Sequence, residues 1–202
     1  MLGGYQSDFA RNLHREGCDF ADLTDEIVHG TLESAAIGAQ DIETVHVANA
    51  FGEMFARQGH LGAMPASVDE GLWGTPASRH EAACASGSVA TLAALSELRS
   101  GACRTALVVG IELEKTVPGD DATTILGAAA WTDHEGDDAK YMWPHMFDRV
   151  AAEYDSRYGL EEVHLRAIAS LNLANARSNP RAQTRDWSVP DPLTDDDVNN
   201  PV

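Results

Sequence analysis

A cysteine within a run of small residues is the position in this sequence best suited to covalent chemistry. Cys84 lies in segment 81–90, where alanine, serine and glycine predominate. Small side chains permit a sharp backbone turn and let another molecule come close. The pattern predicts a short strand, a turn at Cys84, and a helix that stops at Gly101. At such a helix start, unpaired backbone N–H groups and the helix dipole favour the thiolate, the nucleophilic form of cysteine.

The other two cysteines have a simpler interpretation. Free cysteines are among the most buried residues and mostly fill space in the core, and we expect this of Cys18 and Cys103. At Cys84 the small-residue setting favours a nucleophile over a filler. Polar residues inside other predicted elements are expected to be core or solvated positions without a catalytic role: His46, Glu53 and His60.

Composition excludes several classes of function. The 202 residues include 32 acidic and 14 basic ones, a net charge of −18, and the only lysines are Lys115 and Lys140. Nucleic-acid binding needs a basic footprint and anionic membranes would repel such a chain, so we expect neither partner. The sequence has no apolar run long enough to span a bilayer and no visible secretory signal. Three distant cysteines do not form a disulfide framework, which fits a reducing cytoplasm.

Apolar periodicity predicts strands that alternate with helices, the pattern of a layered α/β fold. Strands are expected at 42–48, 77–83 and 105–111, the last buried on both faces. Helices are expected at 19–36, with Asp19 as N-cap and Gly38 as terminator, and at 51–63. The helix after Cys84 has apolar positions near helical spacing: Val89, Leu92, Ala93, Leu95 and Leu98.

The second half of the sequence has a different character. A polar excursion over 115–144 is expected to precede helices at about 145–158 and 161–177. In the first half, segment 64–78 is expected to be a loop. The acidic run Asp195–Asp197 does not match a calcium loop, and neither it nor His134 with its acidic neighbours predicts a metal site.

The segment Glu-Ala-Ala-Cys-Ala-Ser-Gly at 81–87 resembles the nucleophile motif of thiolases, in the branch of acetyl-CoA acetyltransferases and sterol-carrier-type enzymes. Further segments are similar to the same family, and the resemblance extends over nearly the whole chain: 3–9, 49–62, 104–114 and 175–183. The resemblance implies a thiolase-like layered α/β/α mixed sheet, as an incomplete N-terminal half, plus a largely helical loop domain. It places the N-terminal core at 1–114 and a truncated CoA-binding loop domain at 115–202.

The resemblance also implies what this chain lacks. In the family strand order 3-2-4-5-1 it supplies strands 3, 2 and 4, which leaves one side of strand 4 open. The Gly-His-Pro and Cys-x-Gly motifs of the C-terminal half do not occur in this sequence. We therefore expect a fragment or one part of a split gene, inactive alone.

The function implied is acyl transfer between CoA thioesters through a covalent acyl group on Cys84, with CoA as substrate rather than bound cofactor. Arg177, Arg181 and Arg185 are candidates for contacts with CoA phosphates, although a solvated arginine set explains them equally well. Two alternatives stay open: a thiolase-like retro-aldol lyase that acts on acyl-CoA, and a non-catalytic half that docks on a partner. The family further implies a homodimer or larger assembly with strand 77–83 near the two-fold axis, and allows a small OB-fold partner subunit.

Overall fold

The computed structural model describes residues 1–136 and 139–188. The acidic run Asp195–Asp197, where no metal site is expected, lies outside the described residues. The chain forms two compact units. The first comprises 1–7 and 12–135, and the second comprises 8–11 with the described residues from Gly136 onward. The observed division therefore follows Glu135, whereas the sequence placed it after Glu114. A functional role for each part remains a prediction.

The first unit is built on a parallel sheet. Its three strands among the described residues are β1 (Thr44–Ala48), β2 (Ala77–His80) and β3 (Ala106–Gly110), in the order β2-β1-β3. Both pairings are parallel, and Val45 of β1 lies opposite Ala77 on one side and Leu107 on the other. This is the predicted order, with each strand shorter than the sequence suggested and β3 at an edge. The fold is the expected α/β class.

Helices α1 (Phe20–Ala35), α2 (Gly52–Ala56), α3 (Met64–Val68), α4 (Ser86–Ser100) and α5 (Gly119–Gly127) belong to the first unit. The second unit contains α6 (Met142–Tyr158) and α7 (Glu162–Ser178). Short 3₁₀ turns occur at Ala39–Asp41, Leu61–Ala63, Glu70–Leu72, Ala83–Ala85 and Glu114–Thr116. Among the described residues no helix combines the length and apolarity needed to cross a bilayer.

Helix α1 begins as its sequence predicts. The Asp19 carboxylate accepts hydrogen bonds from the backbone N–H groups of Ala21 and Asp22, at 2.7 and 3.2 Å, and the Asp22 carboxylate accepts one from the Asp19 N–H at 2.8 Å. This reciprocal capping box fixes the first turn. The helix ends at Ala35, and its C-cap Ala36 adopts the left-handed conformation at φ 54°, two residues before the predicted terminator Gly38.

The two faces of the sheet bury different chemistry, because successive residues of a strand point to opposite sides. Val45 and Val47 of β1 join an apolar core with Leu107 and Val109 of β3 and the buried side of α1. The alternate residues, Thr44 and His46 among them, lie on the face that α4 covers. Helix α4 packs there through its small residues Ser86, Ala90 and Ala94.

The sequence predicts that β3 is buried on both faces, and the structure shows this only in part. Val89, Leu92 and Leu98 of α4 have 37%, 62% and 38% of their surface exposed, and Val108 of β3 is 38% exposed. Small side chains bring α4 close to the sheet, so its larger apolar residues point away from it. No described element buries this apolar stripe of α4, and the cover that α4 gives to the second face of β3 leaves Val108 partly exposed.

Three other predicted elements differ from the structure. The helix expected at 51–63 is interrupted because Arg57 and His60 adopt left-handed conformations, both at φ 55°. The loop expected at 64–78 contains α3, whose Pro65 lies in the first turn, where proline needs no hydrogen-bond partner. The polar excursion contains α5, and α6 begins at Met142 rather than His145, whereas α7 lies where it was predicted.

Hydrogen bonds to Glu112 link the segment that follows β3 to the segment that follows β1. Its carboxylate accepts hydrogen bonds from the Asn49 side-chain amide at 2.8 Å and from the N–H groups of Ala50 and Phe51 at 2.9 and 3.2 Å. The buried Asn49 also donates to the Ile111 carbonyl at 2.8 Å. One carboxylate thus satisfies three donors between β1 and α2.

We expect Glu112→Ala to lower the free energy of unfolding by about 2–3 kcal/mol, because hydrogen bonds to a charged group are lost and their donors stay partly buried. Glu112→Gln, which keeps the shape and removes the charge, should have a smaller effect. Urea denaturation measures both. The exposed Glu33→Ala on α1 is the matched control and should change stability by less than about 0.5 kcal/mol. Equal effects of Glu112→Ala and Glu33→Ala would contradict this account.

Candidate active site

Cys84 lies in a tight turn that joins β2 to α4. The strand ends at His80, Ala83 adopts a left-handed conformation at φ 47°, and a single 3₁₀ turn over Ala83–Ala85 leads directly into α4. A left-handed conformation is unfavourable for a residue with a Cβ atom, and small residues bear it most easily. Ala83 alone bears this strain, because Ala82 and Ala85 on either side of the Ala83–Cys84 pair have negative φ, at −161° and −92°.

Side chains on either side of Cys84 hold the turn in place. The buried Ser86 hydroxyl accepts a hydrogen bond from the Ala82 N–H at 3.0 Å and donates one to the Ala83 carbonyl at 2.7 Å. The Glu81 carboxylate accepts a hydrogen bond from the Ala83 N–H at 2.6 Å. The backbone beside Cys84 is therefore fixed before any ligand binds.

The side of the turn that carries Cys84 is open. Cys84, Gly87 and Ser88 are exposed, and a Cβ atom built on Gly87 would meet no atom of the described chain within 4 Å. Helix α4 starts two residues after Cys84, and its first N–H groups form the positive end of the helix dipole. The thiol thus lies where an electrophile can approach next to backbone donors.

The carboxyl ends of all three strands lie at this same edge, because the strands are parallel. In open α/β sheets ligands bind at this edge. The Arg79 guanidinium of β2 pairs with the Glu53 carboxylate of α2, lowers the pKa of Glu53 and donates to the Ala50 carbonyl at 3.2 Å. Glu53, expected to be only solvated, therefore ties α2 to the strand that precedes Cys84.

The other two cysteines lie in different surroundings. Cys103 is buried, with 5% of its surface exposed, and this burial, together with the carboxylates of Glu97 and Glu43, raises the pKa of its thiol. Cys18 is half-buried and lies in the wall of an open cavity of about 570 Å³ in the first unit. Cys103 agrees with the filler role predicted for both residues, whereas Cys18 lines a cavity and does not fill the core.

The three arginines proposed from the sequence belong to the second unit, and the structure gives them different surroundings. Arg177 is exposed in the last turn of α7. The Arg181 backbone accepts a hydrogen bond from the Phe9 N–H at 3.0 Å. The Arg185 guanidinium binds both carboxylate oxygens of Asp8, at 2.7 and 3.1 Å, and lowers the pKa of that carboxyl group. A phosphate could bind Arg185 only by competing with Asp8.

A parallel α/β sheet with an exposed cysteine in a strand-to-helix turn defines a class of proteins that present a nucleophile at a sheet edge. Residues 7–195 match the family model described as thiolase, N-terminal domain. The chain belongs to the thiolase family and corresponds to its N-terminal domain.

Two curated relatives are named acetyl-CoA acetyltransferase. The chain is 29% identical over 167 residues to that of Methanothermobacter thermautotrophicus, which covers 81% of this chain and 42% of the relative. It is 32% identical over 183 residues to that of Methanocaldococcus jannaschii, which covers 91% of this chain and 45% of the relative. The chain thus spans less than half the length of either relative.

We expect iodoacetamide to alkylate Cys84 at least about tenfold faster than Cys103 near neutral pH, with Cys18 between them. Cys84 is exposed, whereas burial keeps Cys103 in the thiol form to a higher pH than usual. Mass spectrometry of timed samples gives the three rates. Denatured chain is the control and should label all three at similar rates. Similar rates in a chain that circular dichroism shows to be folded would contradict the prediction.

Proposed function

We propose that this chain carries the nucleophile of a thiolase-type acyltransferase. Cys84 as thiolate attacks the carbonyl carbon of an acyl-CoA thioester, the carbon–sulfur bond to CoA breaks, and the CoA thiolate leaves as acyl-cysteine forms. The observation that carries the proposal is the exposed Cys84 in a fixed turn at the start of α4, in a chain of the thiolase family.

The local chemistry supports this reaction. Thiolates exchange readily with thioesters because nucleophile and leaving group are similar. The open space beside Gly87 leaves room for a substrate at the thiol. Backbone N–H groups at the start of α4 are donors of the kind that stabilise a developing oxyanion.

CoA is a substrate in this proposal, and its phosphates need cationic or N–H donors. Among the three candidate arginines we favour Arg177, whose side chain is exposed. Arg181 remains a second candidate. Arg185 is the weakest, because a phosphate must displace the Asp8 carboxylate from it.

We propose further that a second polypeptide segment completes the enzyme. The apolar stripe on α4 and the open edge of β3 are surfaces that another layer would bury. A homodimer across the edge strand β2 fits the same reasoning. These surfaces support a half that docks on a second layer, whichever reaction it serves. The exposed Cys84 in its motif is the observation that favours acyl transfer over the retro-aldol lyase.

Incubation with acetyl-CoA should leave an acetyl group on Cys84, because the thiol is exposed and fixed. Peptide mass spectrometry locates the adduct, which Cys84→Ala should abolish. Cys103→Ala is the matched control and should keep it. An adduct that is absent, or that persists in Cys84→Ala, would contradict a nucleophilic Cys84 and favour the lyase or the non-catalytic half.

The chain alone should not turn over acetoacetyl-CoA with free CoA. A general base typically contributes about 10²–10⁴-fold and one oxyanion donor about 10²–10³-fold, and we assign most of these groups to the completing segment. A spectrophotometric assay of thiolysis tests this. Steady turnover that disappears in Cys84→Ala would show that base and donors lie within these 202 residues, and the half-enzyme proposal would then be wrong.

A further inference from the structure

A pair of histidines joins the two strands nearest Cys84. His46 of β1 has 2% of its surface exposed, and its Nδ1 lies 2.9 Å from Nε2 of His80, the last residue of β2. The ring centroids are 5.1 Å apart. The two residues are 34 positions apart in the sequence, and neither belongs to the motif around Cys84.

Polar groups continue from both ends of this pair. Nε2 of His46 lies 3.5 Å from the Glu97 carboxylate of α4 and 3.4 Å from the Thr44 hydroxyl. Nε2 of His80 also lies 2.9 Å from the Ser78 hydroxyl. A chain of polar side chains therefore runs from α4 through β1 to β2, on the face of the sheet that α4 covers.

The short nitrogen–nitrogen distance permits one proton between the rings. With the Glu97 carboxylate facing Nε2 of His46, the proton of His46 belongs on that nitrogen, and Nδ1 is left as an acceptor. Nε2 of His80 then donates to Nδ1 of His46. If both rings are protonated, two donors and two positive charges face each other at this distance, and the hydrogen bond is lost.

We propose that His46 and His80 are positioning residues for Cys84: their hydrogen bond holds β2 against β1 while at most one ring is charged, and protonation of both rings loosens β2 together with the turn that carries Cys84. Strand β2 has only four residues and pairs with β1 alone among the described strands. The His46–His80 hydrogen bond therefore adds, at the end of β2, to the ladder with β1 and to the Arg79 contacts with Glu53 and Ala50. The inference does not depend on acylation of Cys84.

The other titratable groups at this face set the direction of the pH effect. Helix α4 contributes Glu97, the segment before β3 contributes the buried Cys103, and β3 itself contributes only Ala106, Val108 and Gly110. Burial, and then the neighbouring His46, lower the pKa of His80 below its ordinary value of 6.5, against the opposing effect of Glu97. The His46–His80 hydrogen bond is therefore fully formed above about pH 6.5. It is lost as the pH falls through the lowered pKa that His80 has in the folded chain.

Hydrogen exchange with mass spectrometry on peptides that cover β2 and the Cys84 turn tests this in the chain. His80→Gln keeps a side-chain amide near the position of Nε2 but cannot titrate. The ratio of wild-type to His80→Gln exchange rates at each pH cancels the intrinsic pH dependence of exchange. We expect this ratio to be near one above about pH 7 and to rise about tenfold toward about pH 5. A ratio that is constant over this range overturns the proposal.

Two further measurements keep the test decisive. The matched control His164→Gln, at an exposed histidine of α7, should give a constant ratio. If His80→Gln does not fold, an NMR titration of the wild-type chain replaces it: the ring nitrogens of His80 and the amides of β2 should change together. Ring protonation without a change in the β2 amides would overturn the proposal.

Discussion

Strand β1 is the structural element on which the rest of the first unit depends. Among the described strands, β2 and β3 each pair with β1 and not with each other. All five of its residues are buried. The parallel pairing brings the ends of β2 and β3 to one edge, and this places the Cys84 turn and the Glu112 carboxylate on the same side of the sheet. The site geometry is thus a consequence of strand direction.

The turn at Cys84 combines local strain with local compensation. A left-handed alanine costs of order 1 kcal/mol, and Ala83 adopts this conformation. The hydrogen bonds of Ser86 and Glu81 to the turn offset that cost. Strained residues cluster where function needs a fixed geometry, and the strain adjacent to an exposed thiol agrees with the proposed nucleophile. These hydrogen bonds thus fix a turn in which Cys84 is exposed.

The features predicted correctly from the sequence are those that nearby residues determine. The capping box at Asp19, the α/β class and the stop at Gly101 follow from residue types within a few positions of each other, and the strand order came from the family resemblance. Long-range pairs left no such signal: Asp8 and Arg185 are 177 residues apart, and His46 and His80 are 34 apart. The apolar stripe of α4 was recognised, but its exposure depends on which layers surround it. Periodicity identifies an apolar face without showing what covers it.

The arrangement of charges limits how an anionic substrate can bind. The chain has 32 acidic and 14 basic residues, and several arginines are already paired with carboxylates: Arg79, Arg104, Arg157, Arg166 and Arg185. Recruiting one of these for a phosphate would release an acid into a strongly negative surface, which cancels much of the gain. Under the proposed function, recognition of CoA therefore depends more on exposed arginines such as Arg177 and on backbone N–H groups than on net charge. A backbone N–H group is neutral, so a phosphate or oxyanion that binds it releases no carboxylate. The start of α4 beside Cys84 offers such N–H groups where the thioester would react.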